Sequence, residues 1–166
     1  MPRSRDTSSS ASAPSGLRPR LALAIATVGG VGYAPIAPGT AASAVTAIGL
    51  WLLGWSPVAL SGLLLVVLVV GTWAADEAER TLGTKDPGAI VVDEVAGMTI
   101  SVLTLPLTLP VLVAGFLLFR IFDVVKPFPA GASQRLGGGI GVMIDDVIAG
   151  LYALLLLLLA RRLGWL

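Results

Sequence analysis

Two stretches without a formal charge dominate the chain, Leu21 to Ala75 and Val95 to Phe119. Each exceeds the ~20 apolar residues that a membrane-crossing helix needs. Inside the first, Val28-Gly-Gly-Val-Gly-Tyr-Ala-Pro-Ile-Ala-Pro-Gly-Thr40 is too rich in glycine and proline for a continuous helix. It predicts a short half-helix running into a loop, which membrane depth tolerates only where protein or a wet cavity surrounds it. Thr40–Leu53 and Pro57–Ala75 then read as two helices joined by a Gly54-Trp55-Ser56 turn, with Trp51 and Trp55 suited to an interface. Asp76–Gly88 is polar, holds Arg80 and Lys85, and reads as a cytoplasmic loop.

The second uncharged stretch decides the topology. As one span it would put Asp93 and Arg120 on opposite faces; as a hairpin turning at Pro106 and Pro110 it returns both to one face. The hairpin is the favoured reading. Ile90–Leu105 and Leu107–Val125 are each long enough, at about 1.5 Å per residue, to cross or nearly cross. Pro127 and Pro129 end the second helix. Gly131–Gly141 reads as a glycine-rich loop, and Ile144–Leu163 as a last helix with an unbroken Leu154–Leu159 run. This topology leaves Arg161 and Arg162 on the non-cytoplasmic side, against the positive-inside tendency, unless the half-helix near Leu21 spans or the last helix does not cross.

Residues 1–19, rich in Ser, Pro, Ala and Arg, are expected to be a disordered tail, with 20–166 forming one helical domain. Arg3, Arg5, Arg18 and Arg20 precede the first apolar run and place the N-terminus in the cytoplasm. A cleaved signal peptide with Leu21–Val28 as its apolar region is the rival, but no clean cleavage site precedes a water-soluble domain. The expected fold class is all-α: a small polytopic membrane helical bundle with a broken N-terminal half-helix and glycine-rich loops.

Composition supports the membrane reading over a very apolar soluble core. Hydrophobic residues make up 55% of the chain, mean hydropathy is +0.90 and only 13% of residues are charged, against about a quarter in soluble domains. A net charge of +1 without a dense basic patch excludes nucleic-acid binding. The absence of Cys removes disulfides and thiolate nucleophiles, and the absence of His leaves only oxygen ligands for a metal. Oxygen ligands favour Mg²⁺ or Mn²⁺ over Zn²⁺.

The chemistry then rests on carboxylates beside these oily runs: Asp86, Asp93, Glu94, Asp123, Asp145 and Asp146. An ionised carboxylate near a bilayer costs several kcal/mol unless it is paired, hydrated or metal-bound. Under the hairpin, Asp93 and Glu94 begin one helix, while Arg120, Asp123 and Lys126 share a face near the end of the next. Asp145 and Asp146 follow at the head of the last helix, where acids complement the helix dipole. Taken singly, these are solvated first-turn residues, an intrahelical ion pair and a cap. Converging on one face, they suit a Mg²⁺ site that polarises a phosphoryl oxygen and activates water. Arg120 and Lys126 could neutralise phosphate charge, and Gly29–Thr40 could offer it backbone N–H groups. Cysteinyl- and histidyl-phosphate routes are excluded, and the Asp-x-Asp usual for an aspartyl-phosphate route is absent.

Four blocks in series carry a resemblance. They are Gly30-x-Gly32-x-x-Pro35-x-Ala37-Pro38-Gly39-Thr40, Asp86-Pro-Gly-Ala-Ile-Val-Val-Asp-Glu-Val-Ala-Gly-Met98, Phe119-Arg-Ile-Phe-Asp-Val-Val-Lys-Pro-Phe-Pro129 and Gly138-Gly-x-Gly-Val-Met-Ile-Asp-Asp-Val-Ile-Ala-Gly150. Over about Val28–Gly150 they resemble the signature blocks of the phosphatidylglycerophosphatase A family. Gln134 stands where many relatives are acidic, and Ala42-Ser43 where many have Gly-Ser.

The resemblance implies a Mg²⁺-requiring enzyme of the bacterial inner membrane that converts phosphatidylglycerophosphate to phosphatidylglycerol. Carried over by position, Asp86, Asp93, Glu94, Asp123, Asp145 and Asp146 fall on the family's acidic positions, and Arg120 and Lys126 on its basic ones. On chemical grounds Asp86, Asp93, Glu94, Asp145 and Asp146 are the candidate metal ligands. Asp93, Glu94, Asp123 and Asp146 are the candidate catalytic residues, and Thr40, Arg120 and Lys126 the candidate phosphate binders. The site is expected at the cytoplasmic face. Two rivals stay open: a Mg²⁺-dependent lipid phosphotransferase, whose longer Asp-Gly…Ala-Arg…Gly…Asp…Asp pattern is not found, and a transporter with buried cation-binding acids.

Overall fold

The structure, a computed structural model, describes residues 16–130 and 136–166. Residues 1–15 of the expected 1–19 tail, and the part of the glycine-rich loop over 131–135 that includes Gln134, lie outside the described residues; the last three residues of that tail, 17–19, are helical. Among the described residues the α-helices with given bounds are, in order, α1 (Leu17–Ala26), α2 (Pro38–Leu53), α3 (Pro57–Leu82), α4 (Val92–Ser101), α5 (Leu109–Val125) and α6 (Gly138–Arg162). A 3₁₀ turn, Val31–Tyr33, lies in the glycine- and proline-rich stretch between α1 and α2. Among the described residues there is no strand, so the all-α class holds.

Local chemistry sets the helix ends. Ser56 caps α3 by accepting the Ala59 N–H at 3.2 Å, Pro57 occupies the first turn, and Gly83 closes the helix in the left-handed conformation. The helix therefore continues through Leu82, and the expected loop over Asp76–Gly88 is helical for its first half. Asp76 and Arg80 pair one turn apart on that extension, so the charges stabilise the helix instead of ending it. The last helix likewise starts at Gly138, six residues before the expected Ile144, and takes in the end of the glycine-rich loop.

The hairpin is present, with one correction. α4 runs only Val92–Ser101, about 15 Å, and is too short to cross a bilayer by itself; the chain turns over 102–105 before α5. α4 is an inner helix, buried from Ala96 to Ser101. It packs most extensively on α6, with α2, α3 and α5 around it. Its Thr99 and Ser101 hydroxyls donate to the Val95 and Met98 carbonyls, so no hydroxyl is stranded in the apolar interior. The α4–α6 seam is built from glycine: a Cβ on Gly150 would sit 2.4 Å from the Gly97 carbonyl oxygen. Such close approach of small residues replaces hydrophobic driving force where helices meet in lipid.

Large apolar side chains also cover the outside. Leu65, Val66 and Val69 on α3 are each more than half exposed, as are Leu117 and Ile121 on α5 and Leu155 and Leu159 on α6. A soluble surface rarely carries contiguous apolar area on this scale. By length and composition α3 and α6 are each able to cross a membrane.

Candidate active site

Three helix ends, an inner turn of a fourth helix and one loop meet at one end of the bundle. α2 contributes Pro38 and Gly39 from its first turn, with Ala37 just before it; α4 contributes Asp93 and Glu94 from its own first turn. α5 contributes Arg120 and Asp123 from its last turns and Lys126 just beyond, and α6 contributes Asp145 and Asp146. With Asp86, Gly88 and Ile90 from the loop before α4, they line a cleft of about 400 Å³. Because α6 begins at Gly138, Asp145 and Asp146 lie two turns inside the helix and are buried, 6% and 2% exposed. They therefore do not act as its N-terminal cap.

The two cations are held by acids from different helices. Arg120 Nη1 lies 2.9 Å from Asp123 and 3.8 Å from Glu94, which joins the two arms of the hairpin. Lys126 Nζ pairs with Asp145 of α6 and stands 4.0 Å from Asp123. A second grouping shares Glu94 with the first: Asp93, Glu94 and Asp146. One carboxylate oxygen from each lies within 4.8 Å of the others. Asp93 Oδ1, Glu94 Oε2 and Asp146 Oδ2 are buried without a hydrogen-bond partner. Buried acids without donors repel one another strongly. Six carboxylates and two cations line the cleft, an excess of acidic groups.

Asp86 and Asp145 also line the cleft but are not part of the close trio, and Thr40 follows the α2 lining residues without lining it. The loop carrying Asp86 is tied to α3, where Glu79 Oε1 accepts the Asp86 N–H at 2.6 Å. Sequence reasoning misses Glu79, because the polar turn of α3 that holds it reads as loop. It also misses what Gly39 does: a Cβ there would lie 1.9 Å from Glu94 Oε1. Three lining residues without the freedom of glycine take positive φ, Ala37 (47°), Asp86 (46°) and Lys126 (47°). Strained backbone of this kind persists where surrounding structure imposes it, commonly at functional sites.

Partial burial, then the nearby Asp145, raises the Asp86 pKa above the ordinary carboxylate range, with Lys126 opposing. Burial lowers that of Lys126, but the Asp145 hydrogen bond and charge outweigh it and the net shift is upward. For Asp86 the sign is unfavourable. The folded state holds a proton that the unfolded chain has released, so stability falls as pH rises through the raised value. Metal-free Asp86→Asn should match the parent's thermal midpoint below about pH 4, exceed it by a growing margin as pH rises to the raised value, and hold a constant margin above that. Midpoints measured in chelator across that range test this; a gap that does not change with pH would refute it.

Comparison with known proteins covers the stretch that holds these helices. The profile of the family described as phosphatidylglycerophosphatase A matches residues 24–161. A Bacteroides thetaiotaomicron protein named "Putative phosphatidylinositol-3-phosphatase" is 40% identical, over 85% of this chain and 94% of that one. A protein of Escherichia coli named phosphatidylglycerophosphatase A is 38% identical, over 73% of this chain and 72% of its own. One of the same name from Haemophilus influenzae is 38% identical over 52% of this chain and 55% of its own. No solved structure matches. With the family profile running from α1 to the end of α6 and across every helix that lines the cleft, the chain belongs to the phosphatidylglycerophosphatase A family.

Proposed function

We propose that this chain is a Mg²⁺-dependent lipid phosphatase of the bacterial inner membrane. It would cross the membrane several times, open its cleft to the cytoplasm and convert phosphatidylglycerophosphate to phosphatidylglycerol. The observation that carries the metal is the Asp93–Glu94–Asp146 trio, with three buried oxygens lacking donors. All-oxygen ligands fit a hard divalent ion. The net negative cleft supports the same reading, because a phosphomonoester dianion would be repelled from it without a cation.

Asp93, Glu94 and Asp146 would hold the ion, with Asp86 and Asp145 as further oxygens at the rim. Bound there, Mg²⁺ would polarise a phosphoryl oxygen and lower the pKa of the attacking water. Arg120 and Lys126 would bind the remaining phosphate oxygens. Asp123, outside the trio, would take the proton of water once Arg120, now 2.9 Å from it, turns to the phosphate. Water oxygen bonds to phosphorus as the bond to the glycerol oxygen breaks; the leaving oxygen takes a proton from solvent water, and Asp123 returns its own to solvent, so the products are the glycerol hydroxyl and hydrogen phosphate. Thr40, which does not line the cleft, would act on the phosphate only after a shift of the α2 start.

The Bacteroides relative's name supports a second substrate, an inositol lipid phosphorylated at the 3-position. Purified protein should release phosphate from phosphatidylglycerophosphate, lose at least about a hundredfold of that rate in chelator and regain it with Mg²⁺ or Mn²⁺. Release from phosphatidylinositol 3-phosphate alone would favour the second substrate. Release from neither would end the phosphatase reading. Dependence on a cytidine nucleotide would then indicate a phosphotransferase, and cation flux into proteoliposomes a transporter.

A further inference from the structure

The cleft is not the only opening between α2 and α5. Farther along the same two helices lies a groove of about 180 Å³, lined by Ala44, Ala47, Trp51, Leu109, Val113 and Phe116 and faced by no polar atom. Its nearest lining residues stand close to the phosphate-binding end. Ala44 is five residues beyond Gly39 and Phe116 four before Arg120, rises of about 7.5 and 6 Å along the helices. From there the groove continues about 10 Å toward Trp51 and Leu109 at the other end of the bundle. Ala44 and Ala47 leave the space, while Trp51, Val113 and Phe116 supply its walls.

We infer that this groove takes an acyl chain of the lipid substrate and so selects a membrane-embedded phosphomonoester over a soluble one. The inference rests on the phosphatase reading above. A lipid with its phosphate at Arg120 has glycerol and ester groups over the next several ångströms and hydrocarbon beyond them. Between α2 and α5 the surface changes character in that order, from charged at Glu94 and Arg120 to wholly apolar from Ala44 onward. An ion or a headgroup would find no partner in the groove. Continuity with the charged cleft along one helix pair favours the substrate's own chain as the occupant.

Ala47→Phe fills the groove from a partly exposed position. Phosphate release would be measured on dioleoyl and dihexanoyl forms of the same lipid phosphate. The variant should lose roughly tenfold or more in kcat/KM on the long-chain form while staying within about twofold of the parent on the short-chain form. Equal loss on both, or loss on neither, overturns the inference. A lipid phosphate with a diazirine on its acyl chain gives a readout that needs no variant: cross-links in the parent protein should fall on Trp51, Val113 and Phe116. Cross-links confined to α3 or α6 would overturn the groove assignment. Should the parent release no phosphate from either lipid, the phosphatase reading fails, and the cross-link map still decides whether hydrocarbon occupies the groove.

Discussion

Asp146→Asn should lower phosphate release about a thousandfold while leaving the protein folded in the membrane. Asp146 is 2% exposed, and one of its oxygens lies within 4.8 Å of oxygens from Asp93 and Glu94. Asparagine preserves the shape but replaces a charged ligand with a neutral amide, one end of which carries N–H donors. Two carboxylates would then have to hold the ion. In the absence of metal, removing one of three mutually repelling acids should leave the thermal midpoint equal or higher, a common result when a functional site is dismantled. Adding Mg²⁺ should raise the parent's midpoint and leave the variant's nearly unchanged, since a ligand that binds only the folded state stabilises it. Normal turnover in the variant would sink the assignment of the trio.

Gly39→Ala should cost about a hundredfold in turnover with little loss of stability. The added Cβ would fall 1.9 Å from Glu94 Oε1 and 3.3 Å from Arg120 Nη1. Glu94 is the end of a side chain on a helix first turn, so it is displaced far more easily than backbone. The fold therefore survives, but the Glu94 carboxylate moves by an ångström or more, a displacement that costs about 10²-fold in an oriented site. Gly49 on the same helix has nothing within 4 Å of where a Cβ would stand, so Gly49→Ala controls for the change in helix propensity and should behave as the parent. Equal activity in the two variants would mean that Glu94 position is immaterial.

The hairpin is legible in the sequence because an uncharged run with prolines near its middle and charges at both ends has few ways to lie in a membrane. Arg120 beside Glu94 at 3.8 Å is its physical expression. The ends of the long helices are not legible. Charge reads as the stop for α3, yet the stop is Gly83, and Asp76 and Arg80 extend the helix. Glycine reads as loop at the start of α6, yet Gly139 is helical because its missing side chain lets α6 approach Thr72, whose carbonyl oxygen a Cβ would meet at 1.9 Å. Low intrinsic propensity loses to a close tertiary contact there. At the site, residue type points to oxygen ligands and phosphate-binding cations. Partnering does not follow from spacing: Lys126 takes Asp145, nineteen residues on, and not Asp123 on its own helix as its main partner.

The glycine contact between α4 and α6 has a mechanical meaning. With the Gly97 carbonyl oxygen 2.4 Å from where a Gly150 Cβ would stand, and the Asp146 carbonyl oxygen 2.8 Å from that of Gly97, neither helix has slack to slide or roll against the other. Asp93 and Glu94 on one, and Asp145 and Asp146 on the other, thus ride on a single stiff unit. Their spacing is set by the packing of the helix pair, so gathering these four acids at one place needs no rearrangement of α4 against α6.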